Sequence, residues 1–137
     1  MWQREYSIET SASPATIWRL FQDVAGWKSW NAGIEEISIA GAFAEGMEFT
    51  MKPPGQAAFT SRLVRVRENE LFEDETIVDG IRVVVAHRLA RIGTTLTRIT
   101  YAANVSGPRA EEAGPLITDD FPDVLKALVA LAERTGS

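Results

Sequence analysis

The sequence predicts an α+β fold: one strand, a pair of short helices, about six further antiparallel strands and a long C-terminal helix. Residues 13–31 combine a capped amphipathic helix with a turn that carries two tryptophans. Residues 33–106 are divided into short strand-like runs by glycine, proline and hairpin dipeptides. Apolar residues then recur at helical spacing from Phe121 to Ala132. At 137 residues, we expect the chain to form a single domain over residues 1–137.

Residues 1–31 predict the first strand and the helix pair. Residues 2–10 alternate between an apolar and a polar face, as in a half-buried strand. Ser13 is a good helix N-cap, and Pro14 stands at the first helical position, where its missing N–H costs nothing. Gly26 ends this helix, and a second short helical turn carries Trp27 to Trp30. The buried stripe of the first helix is predicted to be Ile17, Leu20, Phe21 and Val24.

Six more strands are predicted at residues 34–39, 46–52, 57–67, 70–78, 81–91 and 94–106. Residues 52–55, KPPG, form a turn because proline cannot donate to a strand ladder. The dipeptide Asp79-Gly80 is typical of a type I′ hairpin turn. The C-terminal helix either starts near Asp120 or starts earlier and is kinked at Pro122.

Composition excludes several classes of function. The net charge is −5, and the 14 basic residues are scattered among 19 acidic ones, which argues against nucleic acid and against an anionic membrane surface as partners. The chain has no cysteine and a single histidine, so we expect no disulfide, no metal site and no cofactor. The charged, alternating N-terminus predicts neither a signal peptide nor a membrane anchor, and hence a cytoplasmic location.

Several pieces of the chain resemble one superfamily. They are Ser13-Pro14-Ala15, the Trp27 and Trp30 pair with Asn31, the strand start EGMEFTM, the threonine-rich final strand and Ser106-Gly107-Pro108. With the order of elements, they make the chain similar to the START-like superfamily (SRPBCC, also Bet v 1-like or helix-grip), and most similar to its bacterial polyketide cyclase/dehydrase group. The resemblance implies a curved antiparallel sheet of six to seven strands wrapped around the C-terminal helix, with two short helices after the first strand. It also implies an internal cavity for lipids, hormones or aromatic polyketides, which some members convert and many only carry or sense.

His87 and Tyr101 are the candidate catalytic residues. Alternation places His87 on one face with Ile81, Val83 and Val85, so it enters the cavity if that face is concave. An imidazole titrates near neutral pH and suits a general acid or base. A phenol at Tyr101 could donate to a substrate carbonyl. The alternative is an ordinary buried histidine and an ordinary core tyrosine, each satisfied by a neighbour.

The two tryptophans have a binding and a structural interpretation. Trp27 either lies at the cavity mouth and stacks on a ligand, or it closes the gap between the helix pair and the sheet. For Trp30 we favour the structural role.

The acidic run at residues 73–75 also has two interpretations. Alternation puts Glu73 and Glu75 on one face of the strand and Asp74 on the other. If the face with the two glutamates is concave, one of them enters the cavity. The favoured alternative is a solvated face on which the glutamates meet arginines of the adjacent strands.

These observations lead to a main hypothesis and two alternatives. The main one is the binding of a small hydrophobic or aromatic molecule in the cavity. The first alternative is a polyketide cyclase, aromatase or dehydratase with His87 as acid or base, and the second is a protein-interaction or chaperone-assisting module. The sequence leaves a homodimer open. The predicted ligand-binding residues are Trp27, Phe49, Met51, Phe59, Phe72, His87, Tyr101, Leu116, Phe121 and Leu125.

Overall fold

The computed structural model describes residues 1–135, and within them seven strands form a single antiparallel, curved sheet. Their order across the sheet is β1-β7-β6-β5-β4-β3-β2. The strands are β1 (Trp2–Thr10), β2 (Glu36–Ile39), β3 (Glu48–Lys52), β4 (Phe59–Arg67), β5 (Leu71–Val78), β6 (Ile81–Ile92) and β7 (Leu96–Ser106). The predicted α+β helix-grip architecture is confirmed, with strand ends that differ from the prediction by one to two residues.

Two short helices follow β1, as predicted. Helix α1 (Pro14–Gln22) begins at Ser13, whose hydroxyl accepts a hydrogen bond from the Thr16 N–H at 3.2 Å. A 3₁₀ helix (Val24–Ser29) then carries the chain toward β2. The buried face of α1 includes Ile17 and Phe21, neither of which is exposed.

The C-terminal segment forms two helices rather than one. Helix α2 (Ala110–Thr118) precedes helix α3 (Phe121–Thr135), with Asp119 and Asp120 between them. Pro122 lies in the first turn of α3, where its missing N–H is harmless, so it starts that helix and does not kink it. The prediction of a start near Asp120 is confirmed for α3, whereas the break that makes α2 a separate helix was not predicted.

Helix α3 is held by β1 and α1, against which it packs. Helix α2 packs on β1 and β7. The contact with β1 is close at Gly114, where a Cβ would lie 2.3 Å from the Trp2 ring. The two helices therefore cover the concave face of the sheet from its β1 end.

The hairpins set which side chains face inward. Asp79 and Gly80 have φ angles of 54° and 79°, the positive values that a type I′ turn needs. Across the concave face, Phe72 of β5 pairs with His87 of β6, and His87 pairs with Tyr101 of β7. A bulge at residue 64 shifts the register between β4 and β5.

No helix in the described part of the chain has the length and apolarity needed to span a membrane.

Candidate functional site

A cavity of about 600 Å³ lies between the concave face of the sheet and helices α2 and α3. Side chains of β3, β4, β5, β6 and β7 form its floor, and the helices supply Ala113, Leu116, Ile117, Phe121 and Val124. Its rim includes exposed residues such as Gln56, Val78 and Asp79. The aromatic residues of the lining are Trp27, Trp30, Phe49, Phe59, Phe72, Tyr101 and Phe121.

Trp27 lies in the inner wall of the cavity, not at its exposed mouth. It is 6% exposed, and its indole N–H donates to the Phe21 carbonyl at 2.8 Å. Its ring stacks on Phe72, with centroids 5.7 Å apart, and meets the edge of Phe49 at 5.4 Å. Trp27 therefore both fills the gap below the helix pair and presents a fixed aromatic surface to the cavity.

Trp30 was expected to be structural, and it is buried against Phe21 and Trp27 at 6.4 and 6.2 Å between ring centroids. Part of its surface also lines the cavity.

The structure brings nine of the ten predicted ligand-binding residues to this cavity. The exception is Leu125, which is 1% exposed and lies in the hydrophobic core. The lining extends along α3 only through Phe121 and Val124, so Leu125 packs behind it. The nine in the lining are Trp27, Phe49, Met51, Phe59, Phe72, His87, Tyr101, Leu116 and Phe121.

His87 lies on the cavity face, but its surroundings favour a neutral ring. The imidazole stacks on Phe72 with centroids 3.9 Å apart and planes 6° apart. Nδ1 lies 3.2 Å from the Phe72 carbonyl oxygen, which can only accept, so the proton of the neutral ring belongs on Nδ1. Burial lowers the pKa of His87 to about 3, although the backbone carbonyls of Phe72 and Val85 partly oppose the shift. A group with this pKa is a weak base at neutral pH.

Tyr101 presents its hydroxyl to the cavity. The residue is 4% exposed, and its ring meets the edges of His87 and Phe121 at centroid distances of 4.5 and 5.6 Å. Within residues 1–135 the hydroxyl has no hydrogen-bond partner, and it is not sealed from solvent, so its free surface faces the cavity that it lines. Burial, and secondarily the charge of Asp74, raise the pKa of Tyr101 and keep the phenol protonated.

Asp74 is the functional candidate that the sequence analysis missed. It lies on β5 between Phe72 and Thr76 in the cavity lining. Asp74 is half-buried, and the surface that it keeps faces the cavity. No side chain or backbone group of the described residues forms a hydrogen bond with it. Burial, and secondarily the charge of Glu73, raise the pKa of Asp74 to about 7.

The neighbouring glutamates lie on the convex face, as the favoured interpretation predicted. Glu75 pairs with Arg62 at 3.3 Å and with Arg82 at 2.6 Å, and Glu73 pairs with Arg65 at 3.8 Å. The hydrogen bond from Arg82 is the main cause of a lowered pKa at Glu75. The same alternation that put Phe72 in the predicted lining also puts Asp74 there, and that was the available signal.

Across the described residues, no group of three or more His, Asp or Glu side chains is placed to hold a metal ion.

The comparisons with known proteins agree with this architecture. A family model for polyketide cyclase/dehydrase and lipid transport matches residues 1–133. No curated protein sequence matches the chain.

Solved structures share the fold at low sequence identity. A START superfamily protein from Mycobacterium smegmatis is 18% identical with a TM-score of 0.76, covering 96% of this chain and 97% of that one. The Zhui aromatase/cyclase from Streptomyces sp. R1128 is 13% identical with a TM-score of 0.82, covering 97% and 94%. Norcoclaurine synthase from Thalictrum flavum is 18% identical with a TM-score of 0.80, covering 99% and 88%.

At these identities the structures establish a common fold and no common activity. The family model spans nearly the whole chain. The protein therefore belongs to the polyketide cyclase/dehydrase and lipid-transport family of the START-like superfamily.

Proposed function

We propose that this protein binds one small, largely apolar or aromatic molecule in the cavity between the sheet and helices α2 and α3. The observation that carries the proposal is the cavity itself, about 600 Å³ in volume with aromatic walls. Pockets for drug-sized molecules typically enclose roughly 300–1,000 Å³ and are lined mainly by apolar groups with a few polar ones. Trp27, Phe49 and Phe72 hold one another in fixed edge and stacked contacts, which supports a preformed binding surface.

The exposed apolar side chains also favour a ligand over a protein partner. In the described part of the chain, the large exposed apolar residues are Met1, Ile77, Val78 and Leu116. Val78 and Leu116 belong to the cavity lining, so they extend its mouth rather than form a separate patch. The interaction module is therefore the weaker alternative.

A matched pair of valine variants tests binding in the cavity. Val85 of β6 faces the cavity, whereas Val84 beside it points to the opposite face of the sheet and is not in the lining. The probe is N-phenyl-1-naphthylamine, an uncharged dye that fluoresces in apolar sites. We expect saturable binding to the wild type, a loss of at least about tenfold in affinity for Val85→Phe because the ring fills the cavity, and no change for Val84→Phe.

Circular dichroism melts of both variants establish that they fold. The proposal is wrong if the wild type shows no saturable binding, or if Val85→Phe binds the dye as tightly as the wild type does.

A second candidate function is proton-transfer catalysis, and Asp74 rather than His87 is the residue that favours it. A pKa of about 7 leaves both forms of this carboxyl populated at neutral pH, which suits a general acid or base. In this candidate the Asp74 carboxylate takes a proton from the carbon next to a substrate carbonyl. The electron pair moves onto the carbonyl oxygen, and the Tyr101 hydroxyl donates a hydrogen bond to the resulting enolate.

Deuterium exchange isolates this step without knowledge of the natural substrate. The test follows exchange of the protons beside the carbonyl of 4-phenylbutan-2-one in D₂O by proton NMR. We expect acceleration over buffer, a loss of about a hundredfold for Asp74→Asn and a smaller loss for Tyr101→Phe. If exchange survives in Asp74→Asn but disappears in His87→Gln, His87 is the general base. If the wild type does not accelerate exchange over buffer, proton-transfer catalysis is ruled out as a function.

A further inference from the structure

The charge of the cavity lining indicates what kind of ligand enters it. The described lining contains no arginine or lysine side chain. Its ionisable residues are Asp74, Asp79, His87, Tyr101 and Asp120. His87 is neutral and Tyr101 protonated near pH 7, so every charge that the lining can carry is negative.

We infer that the preferred ligand carries a protonated amine on its aromatic or apolar body, and that Asp74 is the group that pairs with it. This inference rests on the proposed binding function and adds the chemical class of the ligand.

The polar groups inside the cavity suit a ligand that donates hydrogen bonds. The hydroxyls of Ser61 and Thr76 are 2.5 Å apart and satisfy each other. The carboxyl of Asp74 and the hydroxyl of Tyr101, by contrast, have no hydrogen-bond partner in the described protein. An ammonium group has three N–H donors and no acceptor, and both oxygens accept. A hydrogen bond from an ammonium to a carboxylate is among the stronger ones in proteins.

The same lining disfavours an anionic ligand such as a fatty acid. A carboxylate inside the cavity would meet Asp74 and find no cation to replace its lost hydration. The chain has 14 basic residues, and three of those on the strands beside Asp74 pair with glutamates on the convex face. Arg62 and Arg82 contact Glu75, and Arg65 contacts Glu73.

The rim carries charge of the same sign. Asp79 and Asp120 are exposed residues at the edge of the lining. A cleft lined by one sign of charge raises the local concentration of the opposite ion. The rim therefore attracts a cation toward the cavity, and Asp74 holds it inside.

Three indoles that share a ring system but differ in head group test the inference. They are tryptamine, tryptophol and indole-3-propionate, which carry an ammonium, a hydroxyl and a carboxylate. Each is titrated against the protein with bound N-phenyl-1-naphthylamine, and dye displacement is measured at pH 7.5. We expect tryptamine to bind about tenfold or more tightly than tryptophol, and indole-3-propionate to bind most weakly.

Two variants assign the effect to Asp74. In Asp74→Asn, which keeps the shape of the side chain, the preference for tryptamine over tryptophol should disappear. Glu75→Gln is the matched control, since it removes a carboxylate from the convex face of the same strand and should leave the ranking unchanged.

The outcomes separate the two proposals. If neither the dye nor tryptophol binds, the proposed binding function is wrong as a whole. Dye and tryptophol binding with no preference for tryptamine, or a preference that survives Asp74→Asn, contradicts only the inference about the amine.

Discussion

The ring of His87 lies flat on the ring of Phe72, with centroids 3.9 Å apart and planes inclined by 6°. The same imidazole reaches the Phe72 carbonyl with Nδ1 at 3.2 Å. One residue of β5 thus provides both the stacking surface and the hydrogen-bond acceptor for the histidine. Burial against the Phe72 ring disfavours the imidazolium, so His87 is a neutral part of the cavity wall, and Asp74, two positions after Phe72 on β5, is the group that titrates near neutral pH.

The first prediction concerns the protonation of His87. Because burial disfavours the imidazolium, we expect the folded protein to keep this ring neutral down to a pKa of about 3, against a usual value of 6.5. The chain has one histidine, so its ring resonances are unambiguous in a heteronuclear NMR titration from pH 8 to the acid limit of the fold. The urea-unfolded chain should titrate near the usual value. A folded-state midpoint close to 6.5 would contradict the burial argument.

The second prediction concerns Asp74 and stability. Its pKa is raised from 3.8 to about 7, so between these values the native state binds more protons than the unfolded chain. The destabilising effect of the charge therefore begins near pH 3.8, is still small at pH 4 and is fully present above pH 7. We expect Asp74→Asn to be more stable than the wild type at pH 8, on the order of 2 kcal/mol because water in the cavity screens part of the charge, and nearly equal to it near pH 4.

Urea unfolding at the two pH values measures the difference. The other ionisable groups facing Asp74 do not obscure it: His87 is neutral and Tyr101 protonated at both values, and Glu73 is present in both proteins. Glu75→Gln should be less stable than the wild type at pH 8, because the pKa of Glu75 is lowered: its stabilising contribution is fully present above the usual pKa and is lost as the pH falls through the lowered one. Equal stability of Asp74→Asn and the wild type at pH 8 would show that Asp74 is solvated.

The third prediction concerns the packing of helix α2 against strand β1. A Cβ at Gly114 would lie 2.3 Å from two atoms of the Trp2 ring, so Gly114→Ala should destabilise the protein by about 1–3 kcal/mol through overpacking. In a Trp2→Ala background the clash is gone, and the same substitution should be neutral or stabilising by up to about 1 kcal/mol, since alanine is the better helix former. Denaturant unfolding of the wild type, the two single variants and the double variant measures the coupling free energy between Trp2 and Gly114. Additive effects would mean that Trp2 and Gly114 do not pack as the structure has them.

Much of the fold could be predicted because local rules and tertiary packing agree there. The Ser13 cap, the alternation of residues 2–10 and the Asp79-Gly80 turn each depend on neighbours in sequence, and each appears in the structure. The break between α2 and α3 could not be predicted from the sequence, because the two prolines and two aspartates in this segment are compatible with either a kink or a break.

The sequence predicts which side chains of the site share a face of their strand. It does not predict how deeply they are buried or how burial shifts their pKa values. Alternation grouped His87 with Ile81, Val83 and Val85 on one face of β6 but left open which face is concave; in the structure the cavity lies on that side. Alternation gave no measure of burial, which is what makes His87 a weak base and Asp74 a group that titrates near neutral pH. Leu125 shares the helical stripe of Phe121, but the extent of a cavity along a helix depends on packing that a stripe does not encode.

A small molecule bound in the cavity must lie against the valine methyl groups of the lining, so contacts between ligand and these methyl groups show whether it is there. The measurement is intermolecular nuclear Overhauser effects between N-phenyl-1-naphthylamine and protein labelled with ¹³C in its valine methyl groups. Val83, Val85 and Val124 line the cavity, whereas Val84 points to the other face of β6. Binding in the cavity predicts contacts from the dye to the first three and none to Val84. Contacts to Val84, or a bound dye that contacts none of the lining valines, would contradict it.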